Sequence, residues 1–592
     1  MSRSIQGIAA SPGIVIGKAY VLRWPSMQIA HATVPTRDVG AEAGRFTEAC
    51  QVARERTRAL REEVAARVGS VQAKIFDPQL LMLDDPELID ATMTYIRDSS
   101  LTAERAFYLR VLEFRSQWLD ATHARVMDRL ADLTDIEARV LSALTDLPIP
   151  DVRVDLPEHP VILLAKDLTP SRTVELEPGR VLGIATEAGT RTSHSSILAR
   201  TLGMPAVVGL GDFVNTIEAG TELVLDGHRG RVVVEPSDAE KASFHDRDLH
   251  VRQIERELTE LRAVEPVTTD GVRIELLANL EFPEEAKVAA AAGADGVGLF
   301  RTEFLVVGLS AVPDEEEQYQ AFKTVVQAFK PHPVVIRTYD LGGDKYPMFM
   351  PPLIEDNPFL GWRGIRIYDK MPQLFRNQVK AVLRSAALGQ VRMLLPMVSS
   401  VEEIEGVRRL IAEVRGELIA EGVDHEECPL GVMLETPAAV AIVEILSRHV
   451  DFFSLGTNDL AQYVLAVDRG NAQLSRFYDG YHPALIRFIR DAVSGAQIAG
   501  CPLSACGEQA SDVVGAALMI GLGVRSLSCT PGAIPEIKKL IRSVEVGYLE
   551  RAAADLFSAE TGKEVRRRWL KSLEDTVELA GVGTAPSLSG PD

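Results

Sequence analysis

Asn279, Arg301, Arg337, Glu435, Asn458, Asp459 and Cys506 each close or directly follow a short apolar run, and Lys345, Arg363 and Arg469 stand in the loops that come next. Two carboxylates, Glu435 and Asp459, suit a hard divalent cation that keeps its waters and shares a phosphorylated ligand, which is the habit of magnesium. Several arginines suit planar, bidentate recognition of phosphate and carboxylate together. The set describes a small, doubly anionic substrate bound through a metal. Earlier in the chain, the segment 189–200, GTRTSHSSILAR, places His194 at a loop-to-helix junction. Free backbone N–H groups and the positive end of a helix dipole can hold phosphate there. Imidazole accepts a transferable phosphoryl group because its nitrogen is nucleophilic at neutral pH. Plainer readings stand beside these. Charges at strand ends are often solvated loop charges, His194 can serve as a helix cap among Thr and Ser, and a cysteine such as Cys506 is also a small core hydrophobe.

These residues need a frame. Eight short β-like runs, at 274–279, 296–301, 334–337, 392–397, 431–435, 452–456, 503–506 and 526–529, alternate with longer helical ones over about 260 residues. That pattern predicts a (β/α)8 barrel, whose active site lies at the C-terminal ends of its strands. The first 30 residues are glycine-punctuated and β-rich. From about Asp38 to Leu147 helical periodicity takes over, in runs at 43–68, 103–127 and 135–144, and from Pro150 to Pro236 short strands return. The simplest organisation is one α/β domain (1–33 and 148–236) interrupted by a helical insertion (34–147). A connecting helix at 237–264, a barrel at 265–575 and a Gly, Pro and Ser rich frayed tail at 576–592 complete it.

The bulk numbers agree with a multidomain globular protein: 592 residues imply two to four domains. A net charge of −21, from 84 acids against 63 bases, argues against a general nucleic-acid or anionic-membrane binder. It leaves room for a local arginine cluster that takes a small anion. Five cysteines without paired metal spacing predict neither a disulfide scaffold nor a zinc ribbon, and fit a reducing compartment. Pro12, Gly13 and Gly17 interrupt the N-terminal apolar stretch, and no run approaches 18 apolar residues. Neither a signal peptide nor a membrane span is therefore expected, and the location read is cytoplasmic.

The segments 192–200 (TSHSSILAR), 299–304 (LFRTEF), 359–363 (FLGWR), 435–438 (ETPA) and 452–460 (FFSLGTNDL) resemble the phosphohistidine and barrel signatures of phosphoenolpyruvate-utilising enzymes. Domain order and length resemble, within them, the enzyme I family of the bacterial phosphotransferase system, from about Gly7 to Val544. The resemblance implies a swivelling α/β phosphohistidine domain with an inserted helical carrier-docking subdomain, followed by a TIM-type barrel. It implies His194 as the phosphorylated residue, supported by Thr169 and Thr192. It gives Arg301 and Arg337, aided by Lys345 and Arg363, to the phosphate, Glu435 and Asp459 to magnesium, and Asn458 and Arg469 to the rest of the substrate. Cys506 would protonate the enolate carbon as pyruvate forms. The expected partners are phosphoenolpyruvate, a histidine-containing phosphocarrier protein and a second copy joined through the barrel. The His194 domain would move between barrel mouth and helical insertion. One segment, 75–81 (IFDPQLL), departs from the family, with Pro78 and Gln79 where relatives carry a small residue and a histidine. The absence of an N-terminal sensory domain favours sugar uptake over the nitrogen-regulatory branch. Only 193 residues precede His194, without a Gly-x-x-x-x-Gly-Lys loop, which sets aside a pyruvate dikinase. A catalytically silent scaffold has no use for the full set of polar residues.

Overall fold

A computed structural model describes residues 2–22, 29, 32–68, 73–119, 125–145, 156–157, 159–169, 172–173, 176–177, 179–190, 193–306, 312–342, 355–469 and 471–574. The chain divides into two compact units, Met1–Arg252 and Gln253–Val582.

The first unit is built on an eight-stranded sheet. Its strands are β1 (Arg3–Gln6), β2 (Ile8–Ser11), β3 (Ile14–Val21), β4 (Val161–Ala165), β5 (Val181–Thr186), β6 (Ala206–Val208), β7 (Glu222–Asp226) and β8 (Arg231–Val234). Their order is β1-β8-β7-β3-β4-β5-β6-β2, with β3 to β6 parallel and the flanking pairs antiparallel. β4 reads Val-Ile-Leu-Leu-Ala and is buried at every position, as a central parallel strand covered on both faces must be. Leu163, Ile184 and Ala199 pack on one face, and Ile162, Ala185 and Phe213 on the other.

Between β3 and β4 the chain leaves the sheet for α1 (Val39–Val68), α2 (Asp77–Met82), α3 (Pro86–Asp98), α4 (Ala103–Leu119) and α5 (Arg125–Thr145). These helices close around Phe46, Phe107, Val111, Ile136 and Val140, so the insertion has its own core. Two details differ from the sequence reading. α3 is not among the expected helical runs, although Asp85 caps it by accepting from the Glu87 amide at 2.8 Å and Pro86 opens it. The run expected at 103–127 takes in α4 and the start of α5, with 120–124 outside the described residues, and α5 continues without a break through 128–134. Thr134 stays within that helix by turning its hydroxyl back onto the Leu130 carbonyl at 2.8 Å. The departing segment 75–81 is packed rather than displayed: Phe76 and Gln79 are fully buried, and only Leu81 is well exposed. The connecting helix, Asp238–Glu260, follows Ser237, whose amide and hydroxyl both donate to Glu240 at 2.8 Å.

The second unit is a closed barrel of eight parallel strands. They are β9 (Glu275–Leu280), β10 (Val297–Phe300), β11 (Val334–Arg337), β12 (Val391–Leu395), β13 (Leu430–Leu434), β14 (Phe452–Leu455), β15 (Leu503–Ala505) and β16 (Ser526–Cys529). Each coincides with an expected run to within two residues. Side chains alternate across each strand. Leu299, Val335, Leu394, Met433, Phe452 and Cys506 meet in one interior cluster. Phe300, Ile336, Val432, Phe453 and Leu455 join the larger core with the surrounding helices, which Trp569 of the helix Gly562–Glu574 completes. All five cysteines are free, and among the described residues no helix is long and apolar enough to cross a membrane. The expected tail, 576–592, lies outside the described residues.

Candidate active site

Strand endings decide what reaches the barrel mouth. Arg337 is the last residue of β11, Arg301 follows β10, Glu435 follows β13 and Cys506 follows β15, while Asn458 and Asp459 open the helix Thr457–Leu465 just after β14. Four of the expected residues join a chain of alternating charge. Arg337 Nη2 donates to Glu303 Oε1 at 2.8 Å, and its Nη1 lies 3.4 Å from Asp340 Oδ2. Arg363 forks onto the same Asp340, Nε to Oδ1 and Nη2 to Oδ2, both at 3.0 Å. Its remaining arm, Nη1, donates to Asp459 Oδ1 at 2.8 Å and to the Tyr463 hydroxyl at 3.1 Å. Arg469 Nη2 approaches the other Asp459 oxygen at 3.4 Å.

Burial makes these pairs matter. Arg337, Asp340, Arg363 and Asp459 are all buried. Desolvation opposes the charge of both arginines, yet the surrounding carboxylates, Glu303 and Asp340 for Arg337 and Asp340 and Asp459 for Arg363, outweigh it and hold both protonated. Removing one partner of such a set strands its neighbours as uncompensated buried charges. Asp340→Ala is therefore expected to lower unfolding stability by about 3–5 kcal/mol, read from urea denaturation.

Glu435 is different. Its Oε1 accepts the Met397 amide at 2.7 Å, while Oε2 is buried without a hydrogen-bond partner. Met397 turns its amide inward from a left-handed conformation, φ +59°, and Gly364 makes room: a Cβ there would lie 2.8 Å from the Met397 side chain. Burial, reinforced by the charges of Asp459 and Asp340, pushes the Glu435 carboxyl up to about 8. The unpartnered Glu435 oxygen and the Asp459 carboxylate near it are hard oxygen ligands of the kind a divalent cation takes.

Cys506 lies below this layer, 3% exposed. Ser454 Oγ donates to its sulfur at 3.2 Å, and the Asn279 amide donates to its carbonyl at 3.0 Å. Burial pushes the thiol up, so it holds its proton, and Glu435, Arg337 and Arg301 are the charges it feels. The backbone after it must be glycine, since a Cβ on Gly507 would sit 1.7 Å from Thr457 Oγ1. Asn458 exchanges hydrogen bonds with Glu508, side chain to side chain at 3.0 Å and Glu508 amide to Asn458 Oδ1 at 3.1 Å. Arg301 stands at the rim, donating to Glu281 at 2.5 Å. Lys345 lies outside the described residues.

In the first unit, His194 is the first residue of the helix His194–Thr201, and Ser193 occupies the cap position without a capping side-chain bond. The loop before it is tied by Ser193 and Ser196, whose hydroxyls donate to the Thr190 carbonyl at 3.0 and 2.8 Å. Thr169 Oγ1 is buried and unpartnered, as a hydroxyl held for a ligand would be. Thr192 and the His194 side chain lie outside the described residues.

Three family models match in succession: the N-terminal part of the PEP-utilising enzymes over residues 6–129, their mobile domain over 157–230 and their PEP-binding domain over 255–546. A phosphoenolpyruvate-protein phosphotransferase of Staphylococcus carnosus is 36% identical over 566 residues, 95% of this chain and 98% of that one. The chain belongs to the phosphoenolpyruvate-protein phosphotransferase family. The namesake protein of Enterococcus faecalis is 35% identical over 95% of this chain and 98% of its own. A multiphosphoryl transfer protein of Xanthomonas campestris is 38% identical over 95% of this chain and 66% of its own. Within the family frame, Thr169 and His194 fall in the mobile-domain match, and every expected site residue from Asn279 to Cys506 falls in the PEP-binding match.

Sequence reasoning missed two members of the charge chain, Glu303 and Asp340. Signals existed: Glu303 stands two residues after Arg301 inside the LFRTEF segment, and Asp340 follows Arg337 by three. Neither spacing reveals that Asp340 serves both Arg337 and Arg363, because residue 363 reaches it only through the fold.

Proposed function

We propose that this phosphotransferase moves the phosphoryl group of phosphoenolpyruvate onto its own His194, releases pyruvate, and passes the group to a histidine-containing phosphocarrier protein, as the first step of a sugar phosphotransferase system. The observation that carries the reading is the buried arginine–carboxylate chain at the barrel mouth, which ends beside the unpartnered Glu435 Oε2.

The chemistry follows from these groups. Arg337 Nε is buried without a partner and is free to donate to the phosphate, a role that Arg301, Arg363 and Lys345 would share. Arg469 and Asn458 hold the rest of the substrate. Glu435 and Asp459 would hold magnesium. Among the described residues no cluster of three or more metal-ligating side chains occurs, so most ligands of the ion would come from substrate and water. Bound there, the ion would neutralise phosphate charge. With that charge offset, a His194 nitrogen attacks phosphorus in line and the enolate oxygen departs with the P–O electrons. Cys506, protonated and buried, gives its proton to the enolate carbon. Thr169 and Thr192 support the phosphohistidine. Association of two copies through the barrel belongs to the same reading.

Incubation with phosphoenolpyruvate and magnesium, followed by intact-mass measurement, tests it. One acid-labile phosphoryl adduct should form as pyruvate is released. A folded protein that gains no adduct overturns the proposal.

A further inference from the structure

The barrel interior beneath Cys506 carries a row of polar side chains. Strand register pairs Ser454 with Ser504 and Ser526 with Glu275, and the Ala505–Leu527 pairing brings Ser504 opposite Ser526. The four form one row across β14, β15, β16 and β9, one layer further from the mouth than Cys506. The opposite strands fill the interior with Leu299, Val335, Leu394 and Met433.

Within this row Ser454 is fully buried and donates to Cys506 Sγ at 3.2 Å. Ser504 donates in turn to Ser454 Oγ at 3.4 Å, a long contact, and is itself only half-buried. The other polar contact of the sulfur is the Leu455 carbonyl at 3.5 Å, which can accept a proton's hydrogen bond but cannot supply a proton. Among the described residues, Ser454 is the one hydroxyl within hydrogen-bond reach of the thiol. The donor order runs from Ser504 to Ser454 to the sulfur.

We propose that Ser504 and Ser454 return the proton to Cys506 after each turnover; the inference rests on Cys506 as the donor to the enolate. When the S–H bond breaks and the C–H bond of pyruvate forms, the electron pair stays on sulfur as a thiolate. Ser454 passes its hydroxyl proton to that sulfur while taking one from Ser504, and Ser504 takes one from a hydronium ion at its half-exposed end. Thiolate and hydronium become thiol and water, and both serines end as they began. Cys506 is 3% exposed, so a hydroxyl donor is also what would stabilise the thiolate meanwhile.

The test needs no carrier protein. With phosphoenolpyruvate, magnesium and pyruvate labelled with carbon-14 or with a deuterated methyl group, two exchanges are followed. Carbon passes from pyruvate into phosphoenolpyruvate by reversal of the reaction, and the proton taken up by Cys506 can shuttle back without leaving. Deuterium reaches water only if Cys506 communicates with solvent. In Ser454→Ala and Ser504→Ala the ratio of deuterium washout to carbon exchange should fall about 10- to 100-fold. A ratio equal to that of the unaltered enzyme overturns the relay, including when both rates drop together. Ser504→Ala, at the half-buried position, carries the test should Ser454→Ala fail to fold. Cys506→Ala is the separate arm: loss of both exchanges supports its role as donor, and retention of both shows that the underlying reading is at fault.

Discussion

His194→Ala should abolish the phosphoryl adduct and the accompanying release of pyruvate, with the fold intact. The loss is complete because the nucleophile itself is gone. Thr190 and Ser193 lie in the preceding loop and Ser196 in the first turn of the helix, but hydroxyls are weak nucleophiles, and Ser193 and Ser196 are committed to the Thr190 carbonyl. An ester formed on any of them would also survive acid, whereas a phosphohistidine would not. Position 194 is the first of its helix, where alanine is a good helix former, so stability should change by less than about 0.5 kcal/mol. Intact mass after incubation with phosphoenolpyruvate and magnesium gives the answer, and thermal unfolding supplies the control. An acid-labile adduct in the variant would place the acceptor elsewhere.

The second large effect has opposite signs on stability and on activity. Glu435 is held at about 8 in the folded chain against an ordinary value of 4.5, mainly through burial. The folded state therefore binds the extra proton between those values, and stability falls as pH rises from about 4.5 to about 8, then levels off. At pH 8 the deficit is on the order of 4 kcal/mol. Glu435→Gln removes it: the metal-free variant should unfold at higher temperature than the unaltered chain at pH 8, and its stability should lose this pH dependence. Glutamine keeps the oxygen that accepts the Met397 amide but is a poor ligand for a hard cation. Phosphorylation should therefore fall by about 10³-fold or more, and magnesium should raise the melting temperature of the unaltered chain but not of the variant. A variant less stable than its parent at pH 8 would show that the lone carboxylate is not under strain from burial and like charge.

Much of this architecture was legible in the residues. Strands such as Val334–Arg337 and Leu430–Leu434 announce themselves because a central parallel strand is a short apolar run that gives way abruptly to a polar residue. The connecting helix Asp238–Glu260 was legible for the opposite reason, a long charged run without glycine. The insertion was legible as a block, but α3 and the unbroken course of α5 were not. There, local capping and a backbone-bonded threonine decide boundaries that apolar periodicity blurs.

The chemical groups themselves were determined by sequence: which acids, arginines, histidine and thiol stand at strand ends follows from residue type and position alone. What the tertiary structure decided is which of them share a charge. Asp340 holds Arg337, three residues away, and Arg363, twenty-three residues away, because the fold brings all three to one place. Ser454 and Ser504 lie fifty residues apart and meet only through strand register. Glu435 is orphaned by burial and by Asp340 and Asp459 around it, none of which its own neighbours in sequence foretell. Coulomb and hydrogen-bond energies depend on distance through space and on exclusion of water, and both are properties of the closed barrel rather than of the chain.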